Sequence, residues 1–219
     1  MLQQGEATPQ LRQWMDRLAP VVEQAQAVLR CQDADVIARC SGCSRDADGN
    51  LHLRFLWKEY VVSPQDFKVR IAPDGEESSS FVTSLILTYL ANADGTPPSG
   101  RWIGFRDLPD GMFYVQAFQG YSGSRLAREL PGGVQAFRRA AEALGGQPLE
   151  LGSAGYAFEV LPQVWLGVVY WEGDEEFPAQ AQILFDQTDT HYMPTDGLAI
   201  LGSQLVGQLL KTAGKLLVR

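Results

Sequence analysis

Three consecutive carboxylates, Asp174, Glu175 and Glu176, follow Gly173 where an apolar run from Leu161 to Trp171 stops. Asp186, His191 and Asp196 come next in chain order. Hard cations take oxygen ligands, and proton transfer needs a paired acid and base, so such a set could bind a metal ion or move a proton if it converges. His191 lies in Asp189-Thr190-His191-Tyr192, a polar setting where an imidazole could act as base or ligand near neutral pH. Trp171, Asp174, Glu175, Glu176, Phe177, Asp186, His191 and Tyr192 together form the candidate ligand-binding set, placed where a core strand surfaces. A plainer use of the same residues is a turn at Gly173-Asp174, with Asp174 as a cap and the two glutamates facing solvent.

Other chemistry-bearing residues are sparse. Cys40 and Cys43 form a CxxC, and Cys31 precedes them. A zinc or iron-sulfur site takes four ligands, so this set is one short, and reduced thiols are the simpler reading. Cys40 and Cys43 are the only metal candidates among the cysteines. Gly120-Tyr121-Ser122-Gly123-Ser124-Arg125 reads as a strand-to-helix junction that could hold an anion on backbone N–H groups, but no lysine completes a phosphate loop and the third glycine of a dinucleotide fingerprint is missing. A helix cap by Ser122 or Ser124 explains it without a ligand. No nucleophile elbow or HExxH is present. Aromatic residues crowd the middle and late chain, where they suit a core or a pocket for a flat ligand. The residues name no cofactor.

Composition narrows the partners. Net charge is −8, and Arg101, Arg106, Arg125, Arg128, Arg138 and Arg139 are scattered among acids, so a phosphate backbone would be repelled and nucleic acid is excluded as a partner. The start, MLQQGEATPQLRQWMDR, lacks a basic and apolar leader, and Val160 to Trp171 is too short for a membrane helix. The expected setting is cytoplasmic, with a small ligand or a protein as partner. With 45% apolar and 20% charged residues over 219 positions, a large core is expected without staples.

These residues must be placed by the elements around them. Leu11, Trp14, Met15, Leu18, Val21, Val22, Ala25, Val28 and Leu29 mark one helical stripe, which Pro20 should kink or split. Asp33 or Asp35 could cap a short helical turn after it. A turn over residues 46–50 leads into alternating Leu51, Leu53, Phe55 and Trp57, with His52 toward solvent, and further strands follow near Tyr60–Val62 and Phe67–Ile71. Glu76-Glu77-Ser78 should open a helix with Phe81, Leu85, Ile86, Tyr89 and Leu90 on one face. Strands are expected at Trp102–Phe105, Met112–Phe118, Tyr156–Val160, Gln163–Trp171 and Gln182–Phe185. Helices are expected at Arg125–Leu130, Val134–Leu144 and about Thr195–Leu217, the last with Leu198, Leu201, Leu205, Leu209 and Ala213 inward.

Strands grouped by short links, without regular strand-helix alternation, predict an α+β fold: one domain over 1–219, mostly antiparallel strands in one or two sheets with four to six packed helices. Residues 1–32 form its N-terminal helical segment, 33–219 its body, and Gly95 to Gly100 its one candidate internal boundary.

One further pattern runs through the chain. Trp102-x2-Phe105-x2-Leu108-Pro109, Tyr114-x2-Ala117-Phe118, Ala143-Leu144-Gly145-Gly146, Leu161-Pro162, Trp171-x2-Asp174-Glu175-Glu176-Phe177 and Ile183-Leu184-Phe185-Asp186 occur in that order. The pattern resembles the family called domain of unknown function 3786, over roughly Val36 to Leu210. The resemblance implies an anaerobic bacterial or archaeal setting. Some members look like fusions to a cysteine-rich iron-sulfur segment, which three cysteines do not replace. It brings no activity with it.

The expected function is a cytosolic accessory module of anaerobic metabolism or redox systems, engaging a small ligand or a partner protein near Trp171–Phe177 and His191. The alternative is a metal-assisted enzyme using Asp174, Glu175, Glu176, Asp186 and His191. Convergence of those side chains in one pocket would separate the two.

Overall fold

A computed structural model describes the backbone of residues 9–217 and the side chains of residues 18–217. The leader reading of the first residues, and the stripe side chains of Leu11, Trp14 and Met15, lie outside the described part. The chain divides between Gly95 and Thr96 into two compact units. The fold class is α+β with two antiparallel sheets.

The first unit runs α1 (Pro9–Arg30), α2 (Ala34–Ser41), β1 (Ser44–Arg45), β2 (Leu51–Phe55), β3 (Lys58–Val62), β4 (Val69–Ile71) and α3 (Ser80–Asn92). Its four strands pair in chain order. Pro20 does not split α1, which continues as one helix past it. Of the stripe, Ala25 and Leu29 are buried, while Val21 and Val28 remain exposed. Asp33 caps α2 by accepting the Asp35 N–H at 2.8 Å. In β2 the alternation holds: Leu51, Leu53 and Phe55 are buried opposite Val62, Tyr60 and Lys58. Trp57 falls outside it, because the chain reverses at Leu56, whose φ is 53°. His52 is half-buried and not turned freely to solvent: its Nε2 lies 2.9 Å from Asp46 Oδ2. The helix expected from Glu76 begins later, since Ser79 caps α3 by accepting the Val82 N–H, and the two glutamates stay outside its first turn. Leu85, Ile86, Tyr89 and Leu90 are buried as the spacing predicts.

The second unit runs β5 (Trp102–Gly104), a 3-10 turn at Phe105–Asp107, α4 (Gly111–Tyr121), α5 (Gly123–Glu129), α6 (Gly133–Ala143), β6 (Gln147–Leu149), β7 (Ala154–Leu161), β8 (Val164–Trp171), β9 (Gln180–Asp186), a second 3-10 turn at Asp189–His191 and α7 (Thr195–Leu217). The sheet order is β5-β9-β8-β7-β6, antiparallel throughout. Pro162-Gln163 turns the chain, so the apolar run from Leu161 belongs to two strands of one hairpin. Helix α7 buries Leu198, Leu201, Leu205, Leu209 and Ala213.

The largest correction is Met112–Phe118, which is helical and not a strand. Its Met-Phe-Tyr-Val run favours strands by side-chain type, but packing decides the outcome. Phe118 points inward from α4 and stacks on Phe105 at 4.1 Å between centroids, and Phe185 of β9 touches both rings. Glycine permits the close approach. A Cβ on Gly111 would lie 1.9 Å from the Phe105 carbonyl oxygen, and one on Gly123 would lie 2.1 Å from that of Ala181. The Gly120–Arg125 junction therefore joins two helices and follows no strand. Neither serine makes the expected cap; Ser122 is fully buried and donates to the Phe118 carbonyl at 2.5 Å.

Candidate functional site

Strand β9 separates the sequence-predicted residues into two groups. At its start Gln180 pairs with Trp171, and at its end Asp186 pairs with Trp102. Six strand steps place these ends about 20 Å apart. The carboxylate triplet belongs to the first end, and His191 to the second.

At the first end Asp174 closes a tight turn. Its Oδ1 accepts the N–H groups of Glu176 at 2.9 Å and Phe177 at 2.8 Å, and its own N–H donates to the Phe177 carbonyl. Those donors, that of Phe177 foremost, hold the Asp174 carboxyl below its ordinary value. Glu175 and Glu176 face solvent. Trp171 and Phe177, 40% and 63% exposed, flank a shallow hollow with Gln119, Gln180 and Gln182. The geometry is that of the plainer reading, a capped turn.

At the second end Asp186 is almost fully buried and its oxygens are taken up by the chain around it. Oδ1 accepts from the Ser99 N–H and hydroxyl and from the Thr188 N–H and hydroxyl, at 2.7 to 3.0 Å, and Oδ2 accepts the Gly100 N–H at 2.6 Å. Burial opposes its ionisation, but the bonds from Thr188 and Ser99 outweigh it and hold the carboxyl below its ordinary value. Asp189, fully buried beside it, accepts the N–H groups of Trp165 at 3.1 Å and Asp186 at 3.0 Å. Burial, with the Asp186 charge adding to it, pushes the Asp189 carboxyl well up against those two donors. His191 is exposed, with Nδ1 3.3 Å from the Thr96 hydroxyl, and Tyr192 is buried with its hydroxyl donating to the Thr96 carbonyl. Asp186, His191 and Tyr192 thus fasten the residues around 96–100, and do not meet Trp171, Asp174, Glu175, Glu176 or Phe177.

Among the described residues no group of three His, Cys, Asp or Glu is placed to hold a metal ion. Cys43 is buried, Cys40 half-buried and Cys31 exposed, all three as free thiols. Burial, against a hydrogen bond with Ser41, pushes the Cys43 thiol up to about 11, so it stays protonated.

A larger hollow than the one beside Trp171 lies elsewhere. A cavity of about 650 Å³ opens between α4 and the start of α7. Tyr114 and Tyr121 line it from α4, and Met193, Ala199 and Ile200 line it from the other side. The floor includes Phe105, held by the aromatic cluster with Phe118 and Phe185. Pro109, Asp110, Thr195 and Asp196 edge the cavity, where the Thr195 hydroxyl donates to the Pro109 carbonyl at 2.6 Å. Apolar walls with a few convergent polar groups are the usual make-up of a small-molecule site.

The sequence reading named Asp196 beside the acidic set but missed this pocket. Its signal was the seven-residue interval from Tyr114 to Tyr121, which puts both rings on one face of a helix and on opposite faces of a strand. Reading the segment as a strand concealed it.

No curated protein and no solved structure matches the chain. The sequence profile of one family covers residues 33–208, most of its length. The chain belongs to the family described as Domain of unknown function (DUF3786).

Proposed function

We propose that this chain is a cytoplasmic accessory module of anaerobic metabolism or redox systems, and that it works by binding a small, largely apolar ligand between α4 and α7. The observation that carries the reading is the cavity of about 650 Å³ with Tyr114, Tyr121, Met193 and Ile200 on its walls. Its size is within the range of drug-sized and cofactor-sized ligands. The walls supply contact area and the edge residues supply orientation.

The test is a titration of the full chain with Nile red, a neutral dye that brightens in apolar surroundings. Saturable binding to one site is expected, lost in Ile200→Trp, which fills the cavity from a half-buried position, and weakened in Tyr114→Ala, at an exposed one. Binding that fails to saturate, or that ignores both substitutions, contradicts the reading.

A protein partner is favoured by one separate observation. Met112, Phe113 and Tyr114 of α4 are 64%, 82% and 65% exposed, in a helix without a charged residue. Contiguous exposed apolar side chains mark interaction surfaces. On this second reading Phe113→Ser abolishes partner binding while dye binding persists.

A further inference from the structure

We propose that the ligand of this pocket carries a positive charge, an ammonium or guanidinium head on an apolar body, held at the edge by Asp110 and Asp196. The proposal rests on the pocket being a binding site at all. Three observations support it together. Among the described residues, these two aspartates are the charged ones that line the cavity, with no lysine, arginine or histidine beside them. The bond from the Thr195 hydroxyl to the Pro109 carbonyl joins the residues that immediately precede them, so both carboxylates belong to one edge. Tyr114 and Tyr121 line the same wall, about 10 Å apart along α4, and aromatic rings of this type attract cations.

The helix ends do not cancel this charge. Asp110 precedes α4 and Asp196 lies in the first turn of α7, so each meets a helix N-terminus. Each such end contributes roughly half a positive charge, which leaves the two aspartates with a net negative edge. Asp110 also makes no side-chain capping bond, and its φ of 57° is a conformation few residues adopt readily. Its carboxylate is exposed and is not consumed by the helix it precedes. Asp196 Oδ1 accepts the Gly197 N–H at 2.8 Å, which leaves its other oxygen and the Asp110 carboxylate to water when the ligand is neutral; a cationic head satisfies them while the apolar body enters the cavity.

The test uses three probes of one shape, displacing Nile red from the full chain: phenylpropyl trimethylammonium, its carbon isostere with a tert-butyl group in place of the ammonium, and phenylbutanoate. The ammonium is expected to bind roughly tenfold more tightly than the isostere, and the carboxylate more weakly than both. The preference should shrink with added salt and disappear in the double variant Asp110→Asn, Asp196→Asn, with the isostere still bound. Equal affinity of ammonium and isostere, both lost in Ile200→Trp, overturns the charge preference and leaves the pocket standing. A preference that survives the double variant assigns it to the overall charge of −8 and overturns it also. Failure of all three probes and of the dye overturns the pocket itself.

Discussion

The Thr195 hydroxyl donates to the carbonyl of Pro109 across 2.6 Å, joining the first residue of α7 to the turn before α4. It ties the two faces of the pocket edge together. Thr195→Val keeps the shape and removes the donor, leaving a carbonyl unpaired. A loss of about 1 kcal/mol in urea unfolding and a several-fold weaker hold on the dye are expected. Unchanged affinity would show that the edge does not need this tie.

Asp186 should govern acid sensitivity. Its folded carboxyl titrates below the ordinary value of 3.8, so its contribution is complete above that value and is lost as pH falls through the depressed folded value. Asp186→Asn should cost about 3 kcal/mol near neutrality, because an amide nitrogen would face the Gly100 N–H or the Ser99 and Thr188 donors. Urea unfolding across the acid range measures both, and an acid slope in the variant as steep as the parent's would contradict the assignment.

Asp189 acts in the opposite sense. A folded carboxyl raised above 3.8 contributes stability that is complete below that value and is lost as pH rises toward the folded one. Asp189→Asn should therefore flatten the decline in stability on the alkaline side, at some cost in absolute stability, since its amide nitrogen must face either the Trp165 or the Asp186 N–H. Parallel pH profiles for parent and variant would argue that Asp189 is ionised throughout.

The thiols should separate by burial. Iodoacetamide modifies thiolates, so exposed Cys31 is expected to react first and buried Cys43 only on unfolding. Mass spectrometry of timed samples follows each residue. Labelling of Cys43 at the rate of Cys31 would contradict the buried, protonated thiol.

Much of the architecture was legible because burial leaves a period in the residue types. Helix α7 declares itself through Leu198, Leu201, Leu205, Leu209 and Ala213, and β2 through Leu51, Leu53 and Phe55. Helix α4 was not legible, since only Phe118 and Gly111 of its residues are buried and its exposed face is as apolar as a strand. That exposed face is what makes the pocket wall. The separation of the acidic triplet from His191 was not legible for the converse reason: charge marks a turn as readily as a site, and the register of β9, which parts the two, is a long-range pairing that local sequence does not display.

The most direct test of the pocket is amide chemical-shift mapping on the isotope-labelled chain as Nile red is added. The account predicts changes centred on Tyr114, Tyr121, Met193, Thr195 and Ile200, with residues 174–177 undisturbed. Changes gathered instead around Trp171, Phe177 and Gln182, or spread evenly over the chain, would contradict it.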